Sequence, residues 1–426
     1  MKKLSALLLL FVLPAAGRAQ DGYALGDCLE TAALKSPEIL RERAVLDEAE
    51  AGRSAALGPL LPQLDATLSY QRYEEQLPSK RAIFGASLDN YYSDLTLKQL
   101  LFAGGKYKAQ LNSATAGRKA QRGRLSQAER DLRFAVTRAY YEQLRAAHTL
   151  EIQKSLLEKV TQQRITAELL YNGGKASVVD TLKTRAVEAA QRDAVKNAEN
   201  QAYVKALALG QAMGLEEPAR AAFAMPFLNK DVEFLKELPA AELDKSPEVL
   251  YAAGNLERAG YDLKAARAEH YPALYARGSY FMEDKAFFPG NANSYAGLFL
   301  SVPFYRGGAL AAQADRAEAR RRLAAESARK ARLSVTARYA AAVSTALDKK
   351  ERAATSAQTL ELAKEALTAS ELRYSAGKIT LVELLDSQNL WSSSYLAYAN
   401  TVFDYLISAA EVASVWPEGV RGELLK

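Results

Sequence analysis

A single cysteine, Cys28, stands among 426 residues, so no internal disulfide can staple this chain. Histidine is nearly as scarce. His148 and His270 are far apart and lack metal-ligand spacing, so no metal site is expected. No glycine-rich phosphate loop, Gly-x-Ser-x-Gly elbow or acid/base pair in an apolar setting occurs. The chain is therefore read as a non-enzyme that uses no cofactor. Long apolar runs are missing as well. With no stretch of about 18 consecutive apolar residues, no transmembrane helix is expected, and any membrane part must be β.

The formal net charge is +6. Residues 1–19 read as a secretory leader, with Lys2 and Lys3 as the basic start, an apolar stretch from Leu4 to Ala16, and small residues at Gly17 and Ala19 for cleavage. Losing Lys2, Lys3 and Arg18 with that leader takes +6 to +3, too weak a balance for nucleic acid. The densest basic run, Arg320-Arg321-Arg322 with Arg316 one turn earlier, reads as a solvated helix face. Cys28 follows Asp27 well past the cleavage point, so it reads as a buried helix cysteine and not a lipid anchor.

What is present is said twice. Ser36-Pro37-Glu38-Ile39-Leu40 returns 210 residues later as Ser246-Pro247-Glu248-Val249-Leu250, and Pro62-Gln63-Leu64 as Pro272-Ala273-Leu274. Leu101-Phe102-Ala103-Gly104-Gly105 returns 203 later as Phe304-Tyr305-Arg306-Gly307-Gly308, and Tyr171-Asn172-Gly173-Gly174-Lys175 as Tyr374-Ser375-Ala376-Gly377-Lys378. A unit this long is a duplicated half-protein, not a solenoid repeat. The expected layout is leader 1–19, first repeat 20–213, linker 214–240, second repeat 241–416 and tail 417–426.

Each half reads as helix, two strands, very long helix, tight break, helix. Leu64, Ala66, Leu68 and Tyr70 alternate with Asp65, Thr67, Ser69 and Gln71, the period of a strand with one apolar face. Leu95, Leu97 and Leu101 form a second such strand, Leu274 to Tyr280 a third, and Leu298, Leu300 and Val302 a fourth. Tyr91, Tyr92, Tyr271, Tyr275, Tyr280, Phe281, Tyr295 and Phe304 crowd the strand ends, the pattern of a membrane-barrel aromatic belt. Proline is absent from Gly105 to Tyr171 and from Gly308 to Tyr374, about 66 residues and hence roughly 100 Å of helix in each case. Helices that long need lateral partners of equal length. Val178–Met213 and Ala241–Glu269, stacked end to end, supply them. Four strands cannot cross a bilayer alone, because open edges leave backbone groups unpaired in lipid. Strands from two, three or four copies must be pooled.

At this point the chain resembles the TolC-like outer-membrane efflux proteins. The resemblance is carried by Tyr374 to Asp386 and its cousin Tyr171 to Leu182, by Phe102-Ala103-Gly104-Gly105 after the second strand, and by Ala139-Tyr140-Tyr141 on the long helix. It implies a mainly α protein with a small β part. A homotrimer would pool twelve strands in an outer-membrane β-barrel, in contact with lipid, and twelve helices in a tunnel through the periplasm. It also implies a passive exit duct docked through a periplasmic adaptor on an inner-membrane pump of RND, ABC or MFS type. The alternative is a periplasmic coiled-coil scaffold that makes no membrane pore.

The two breaks end their helices at Gly174 and Gly377, and Ser177 and Thr380 cap the helices that follow. By resemblance these tips, with Tyr171, Gly174, Lys175, Ser177, Gly377, Lys378 and Thr380, contact the adaptor. Glu383 and Asp386 share a helix face and match the family's acidic pore rings. Asp180 and Tyr374 match its periplasmic gate. The sequence departs from the family at Ile379, where relatives carry an arginine in the closing network.

Overall fold

Two helices, α1 (Leu25–Lys35) and α2 (Pro37–Leu57), open the chain and meet at Ser36-Pro37, where proline's fixed φ starts a new helix. The computed structural model describes residues 22–75, 87–174, 177–222, 240–287 and 290–415. The expected leader and tail lie outside them, as does most of the linker. Next come β1 (Gln63–Arg72), β2 (Asp89–Phe102), α3 (Lys106–Asn172) and α4 (Val178–Ala212). After a single helical turn, Ala240–Leu243, follow α5 (Pro247–Ala268), β3 (Ala273–Asp284), β4 (Ala292–Ser301), α6 (Ala309–Ser375) and α7 (Leu381–Val415). Both long helices have 67 residues and both returning helices 35, so the second series matches the first in helix length to the residue.

The chain folds as two compact units that cut across the duplication. Of the described residues, one unit takes those within Met1–Ser36, Leu132–Phe234 and Thr345–Glu411, and the other those within Pro37–Asp131, Leu235–Ser344 and Val412–Lys426.

The second unit carries the sheet, ordered β1-β2-β3-β4 with every neighbour antiparallel. Its register sets Leu64 opposite Leu97, Leu95 opposite Tyr280, and Leu274 opposite Leu300. Parity then places Leu64, Leu68, Leu95, Leu97, Leu298 and Leu300 on one face, all exposed. The other face carries Asp65, Thr67, Asp94, Thr96, Lys98, Arg277 and Ser279. Here the aromatic belt read from the sequence needs correction. Tyr91 and Tyr280 share the apolar face, but Tyr92, Tyr275, Phe281 and Tyr295 stand on the polar one. There Phe281 lies 6.2 Å from Tyr92 and 6.5 Å from Tyr295, and Lys98 sits 4.5 Å over the Tyr275 ring. Strand parity, not aromatic character, decides the side.

Helices in this unit follow the strand order. Gln121 of α3 donates to Glu42 of α2 at 2.9 Å; Ser113 of α3 donates to Asp262 of α5 at 2.5 Å; Arg338 of α6 donates to Glu248 of α5 at 2.7 Å. The layer is thus α2-α3-α5-α6, ending in an open α2 edge and an open α6 edge. Its helices come close at Gly254, where a Cβ would stand 2.8 Å from the Ala120 Cβ.

In the other unit the core gathers Cys28, Ala32, Val136, Tyr140, Leu144, Leu209, Met213, Ala219, Ala221 and Phe403. Along α3, Val136, Tyr140, Leu144, His148 and Ile152 are buried at every fourth position, the stripe of a helix packed along one side. The segment after α4 returns through Gly214 (φ +74), whose Cβ would meet the Lys35 carbonyl oxygen at 2.7 Å, and pairs Ala221 with Tyr23. Only glycine satisfies both demands there.

Gly254→Val should force α3 and α5 apart and cost about 1–3 kcal/mol. Gly260→Ala, on the same helix with nothing within 4 Å of the added Cβ, should stabilise instead. Melting temperatures of the two variants in detergent check the contrast.

Candidate functional site: the two helical hairpin tips

The first tip turns where α3 runs out of hydrogen-bond partners. Gly173 N–H donates to the Leu169 carbonyl at 3.0 Å and Gly174 N–H to that of Tyr171 at 2.9 Å. Gly174 (φ +72) takes the left-handed conformation that ends the helix. Ser177 then caps α4, its hydroxyl accepting from Val179 N–H at 3.2 Å. Tyr171 is exposed at the end of α3 and Asp180 lies in the first turn of α4. Lys175 falls outside the described residues.

The second tip has the same backbone logic and a different cap. Gly377 (φ +68) donates to the Tyr374 carbonyl at 2.9 Å, and Lys378 N–H reaches back to that of Arg373 at 2.8 Å. Thr380 and Glu383 then cap α7 reciprocally. Thr380 N–H donates to the Glu383 carboxylate at 2.8 Å, and Glu383 N–H to the Thr380 hydroxyl at 3.3 Å. This is a capping box, which places the negative charge at the positive end of the helix dipole. Glu383 therefore has a local structural role that the acidic-ring reading did not include. Asp386, one turn further along, is exposed.

The two tips influence each other electrostatically at Tyr374 and Asp180. Burial pushes the half-buried Tyr374 phenol above its ordinary pKa, and the Asp180 carboxylate pushes it the same way. The phenol thus keeps its proton and stays neutral beside a negative charge. The other gate candidates, Glu383 and Asp386, stand on the exposed side of α7.

Sequence reading missed what holds each hairpin shut. Between α3 and α4, buried Glu188 accepts from Thr161 and Arg192 at 3.0 Å and pairs with Arg164 at 2.9 Å. Glu168 bridges Arg164 at 2.7 Å and Arg185 at 2.9 Å. The Arg185 hydrogen bond, followed by that of Arg164, holds the Glu168 carboxyl below the usual carboxylate range. Between α6 and α7 the polar links are mixed: hydroxyls join Ser370 to Ser387 at 2.8 Å and Ser356 to Thr401 at 2.7 Å, and further along Lys349 pairs with Asp404 at 3.0 Å. The i,i+4 pairs Arg164/Glu168 and Glu188/Arg192 were visible in the sequence as helix-face pairs, but their meeting across the hairpin was not.

Among the described residues, no helix is long and apolar enough to cross a membrane, and no group of three or more His, Cys, Asp or Glu is placed to hold a metal ion. An apolar sheet face, an adjoining helix layer and two glycine-ended hairpins define the class of an outer-membrane channel subunit. The outer membrane efflux protein family matches residues 28–215 and 238–416, and the chain belongs to it. Among relatives, it is 26% identical over 373 residues to the pyoverdine export outer membrane protein OpmQ of Pseudomonas aeruginosa, covering 85% of this chain and 78% of that one. It is 24% identical over 441 residues to the outer membrane protein TolC of Escherichia coli, covering 97% and 86%. In fold it matches the solved CusC channel at a TM-score of 0.81 with 15% identity, covering 96% of each chain. The outer membrane protein VceC of Vibrio cholerae matches at 0.78 with 19% identity, covering 92% and 95%. The protein is a TolC-like efflux channel protein and its place is the outer membrane.

Glu188→Ala should strip three partners from a buried carboxylate and cost about 1–3 kcal/mol, against no more than about 1 kcal/mol for Ser387→Ala. The Glu168 carboxyl binds its proton less readily folded than unfolded. Its contribution is complete above the ordinary carboxylate range and is lost as pH falls through the lowered value. Denaturant unfolding at neutral and acidic pH checks both, and Glu168→Gln should remove part of the acid sensitivity.

Proposed function

We propose that three copies close into one passive exit duct, with twelve strands in the outer membrane and the helices forming a tunnel through the periplasm. The observation that carries this reading is the sheet, which is apolar on one face, polar on the other, and open at both β1 and β4. In lipid each unpaired edge group costs several kcal/mol, so the edges must find each other in neighbouring copies. A periplasmic scaffold would leave Leu68, 84% exposed, and Leu298, 70% exposed, facing water without purpose. The two repeats, 20–213 and 241–416, then supply equal shares of the wall, with the 214–240 linker at their join.

In this reading the hairpin tips are the periplasmic entrance. Tyr171, Gly174, Lys175, Ser177, Gly377, Lys378 and Thr380 form the contact for an adaptor protein, through which an inner-membrane pump of RND, ABC or MFS type opens the duct. Asp180 and Tyr374 restrain the gate, and Ile379 leaves it without the arginine of related closing networks. Six carboxylates, three each from Glu383 and Asp386, would surround the axis and concentrate cations. Choice of cargo belongs to the pump.

Leu68→Arg or Leu97→Arg should cost about 2–4 kcal/mol at mid-bilayer and reduce the detergent-stable trimer recovered from outer membrane. Normal assembly of both variants would exclude a lipid-facing role for that face.

Single-channel recording of the purified trimer in planar bilayers should show cation preference and block by divalent cations from the periplasmic side. Glu383→Ala with Asp386→Ala should weaken both. Unchanged selectivity and block would remove these carboxylates from the gate.

A further inference from the structure

We propose that the open side of α6 binds the open side of α2 in a second copy of this chain, with Arg320 on Glu48 and Arg322 on Asp47. The proposal rests on the closed ring described above and names the contact that closes it. It comes from the duplication. Shifting by 203 carries α3 onto α6, and shifting back by 210 carries α5 onto α2. The α3–α5 contact inside one chain is therefore a template for an α6–α2 contact between chains.

Each transposed contact falls on compatible residues. Lys119, paired with Glu257 at 3.5 Å, becomes Arg322 facing Asp47. Gly117, whose Cβ would stand 3.4 Å from the Arg258 side chain, becomes Arg320 facing Glu48. Gly123 against Tyr251 becomes Glu326 facing Arg41. All three charged juxtapositions are of opposite sign. The close contact of Ala120 with Gly254 becomes Leu323 on Ala44.

Burial supports the same surface. On α3, Ala116 and Ala120 are only 3% and 1% exposed, Ala120 against Gly254 of α5, whereas their counterparts on α6, Ala319 and Leu323, are exposed, Leu323 at 69%. Arg41, Ala44, Asp47 and Glu48 are all exposed, as are Arg320, Arg322 and Glu326. Among the described residues, Asp47, Glu48, Arg320 and Arg322 make no ion pair. The same two shifts serve the sheet. The β2–β3 pair Leu97–Gly278 becomes Leu300 opposite Leu68 on the apolar face, and Leu95–Tyr280 becomes Leu298 opposite Tyr70. One operation thus closes both layers in register, with strand edges supplying backbone pairing and helix edges supplying charge. Opposed charges at a heterologous interface fix its register and exclude slipped pairings.

The full-length protein tests this in detergent, with native mass read beside non-reducing gels after mild oxidation. Glu48→Cys with Arg320→Cys, and Asp47→Cys with Arg322→Cys, should each give covalent dimer and trimer. Glu48→Cys with Lys330→Cys, about 15 Å further along α6, should give neither. A trimer by mass that crosslinks only from the displaced pair, or from none, overturns this interface and leaves the ring standing. A monomer by mass overturns both. Charge reversal is independent of disulfide geometry. Glu48→Arg or Arg320→Glu alone should lower trimer recovery several-fold, and the two together should restore it. A double variant no better than the singles overturns the pairing.

Discussion

Close backbone approach between α3 and α5 is the constraint on which the sheet-bearing unit depends. A helix layer spaces its members by roughly 8–10 Å, and a sheet spaces strands by about 4.8 Å. Helices set in the order of the strands they join can stand beneath them only if they pack at the tight end of that range. Gly254 against Ala120 and Gly123 against the Tyr251 backbone provide this. The remaining mismatch falls on the joints. Gly104 (φ +60) turns β2 into α3 close against Tyr271, where any Cβ would stand 2.5 Å from the tyrosine Cβ. The ion pairs around this contact, such as Lys106 with Glu269 at 2.8 Å, decorate a spacing already set by small residues.

The two hairpins reach the same backbone turn by different chemistry. Both end at a glycine of positive φ and restart at a hydroxyl cap. The first is laced by Arg164, Glu168, Arg185, Glu188 and Arg192, whose bonds respond to salt and acid. The second has neutral serine and threonine hydroxyl links toward its tip, which respond to neither, and the Lys349–Asp404 ion pair further from it. Equal length and equal topology therefore do not imply equal response to the medium.

Much of this was legible in the sequence, for identifiable reasons. Strand positions were legible because alternation has a period of two and the leucines kept it. Helix ends were legible because glycine and proline mark them. The break at Ser36-Pro37 and both tips fell where those residues stand. The side taken by each aromatic was not legible, since Tyr91 and Tyr92 differ only in parity, and parity needs the register. Nor was the capping role of Glu383, because an acidic residue three positions after a threonine reads equally as a pore charge. The division into units was hidden for another reason: continuous 67-residue helices carry no boundary signal where they pass between units. An adaptor contact at the tips rests on resemblance alone and is a proposal, since a tip has no packing partner in a single chain.

Cys28 has a practical meaning for any chemist who handles this protein. Its thiol is fully buried, and that burial, helped by the neighbouring Asp27 charge, lifts its pKa to about 12. Only on the order of one thiol in 10^4 to 10^5 is then ionised at neutral pH, and the thiolate is the reactive species. Alkylating reagents, oxidants and metal-based stains should therefore pass it by while the core is intact. The native chain is its own cysteine-blind background, so spin labels, fluorophores or crosslinkers can be placed at any surface position without first altering the core. Slow reaction of Cys28 itself becomes a reporter of the moment that core opens.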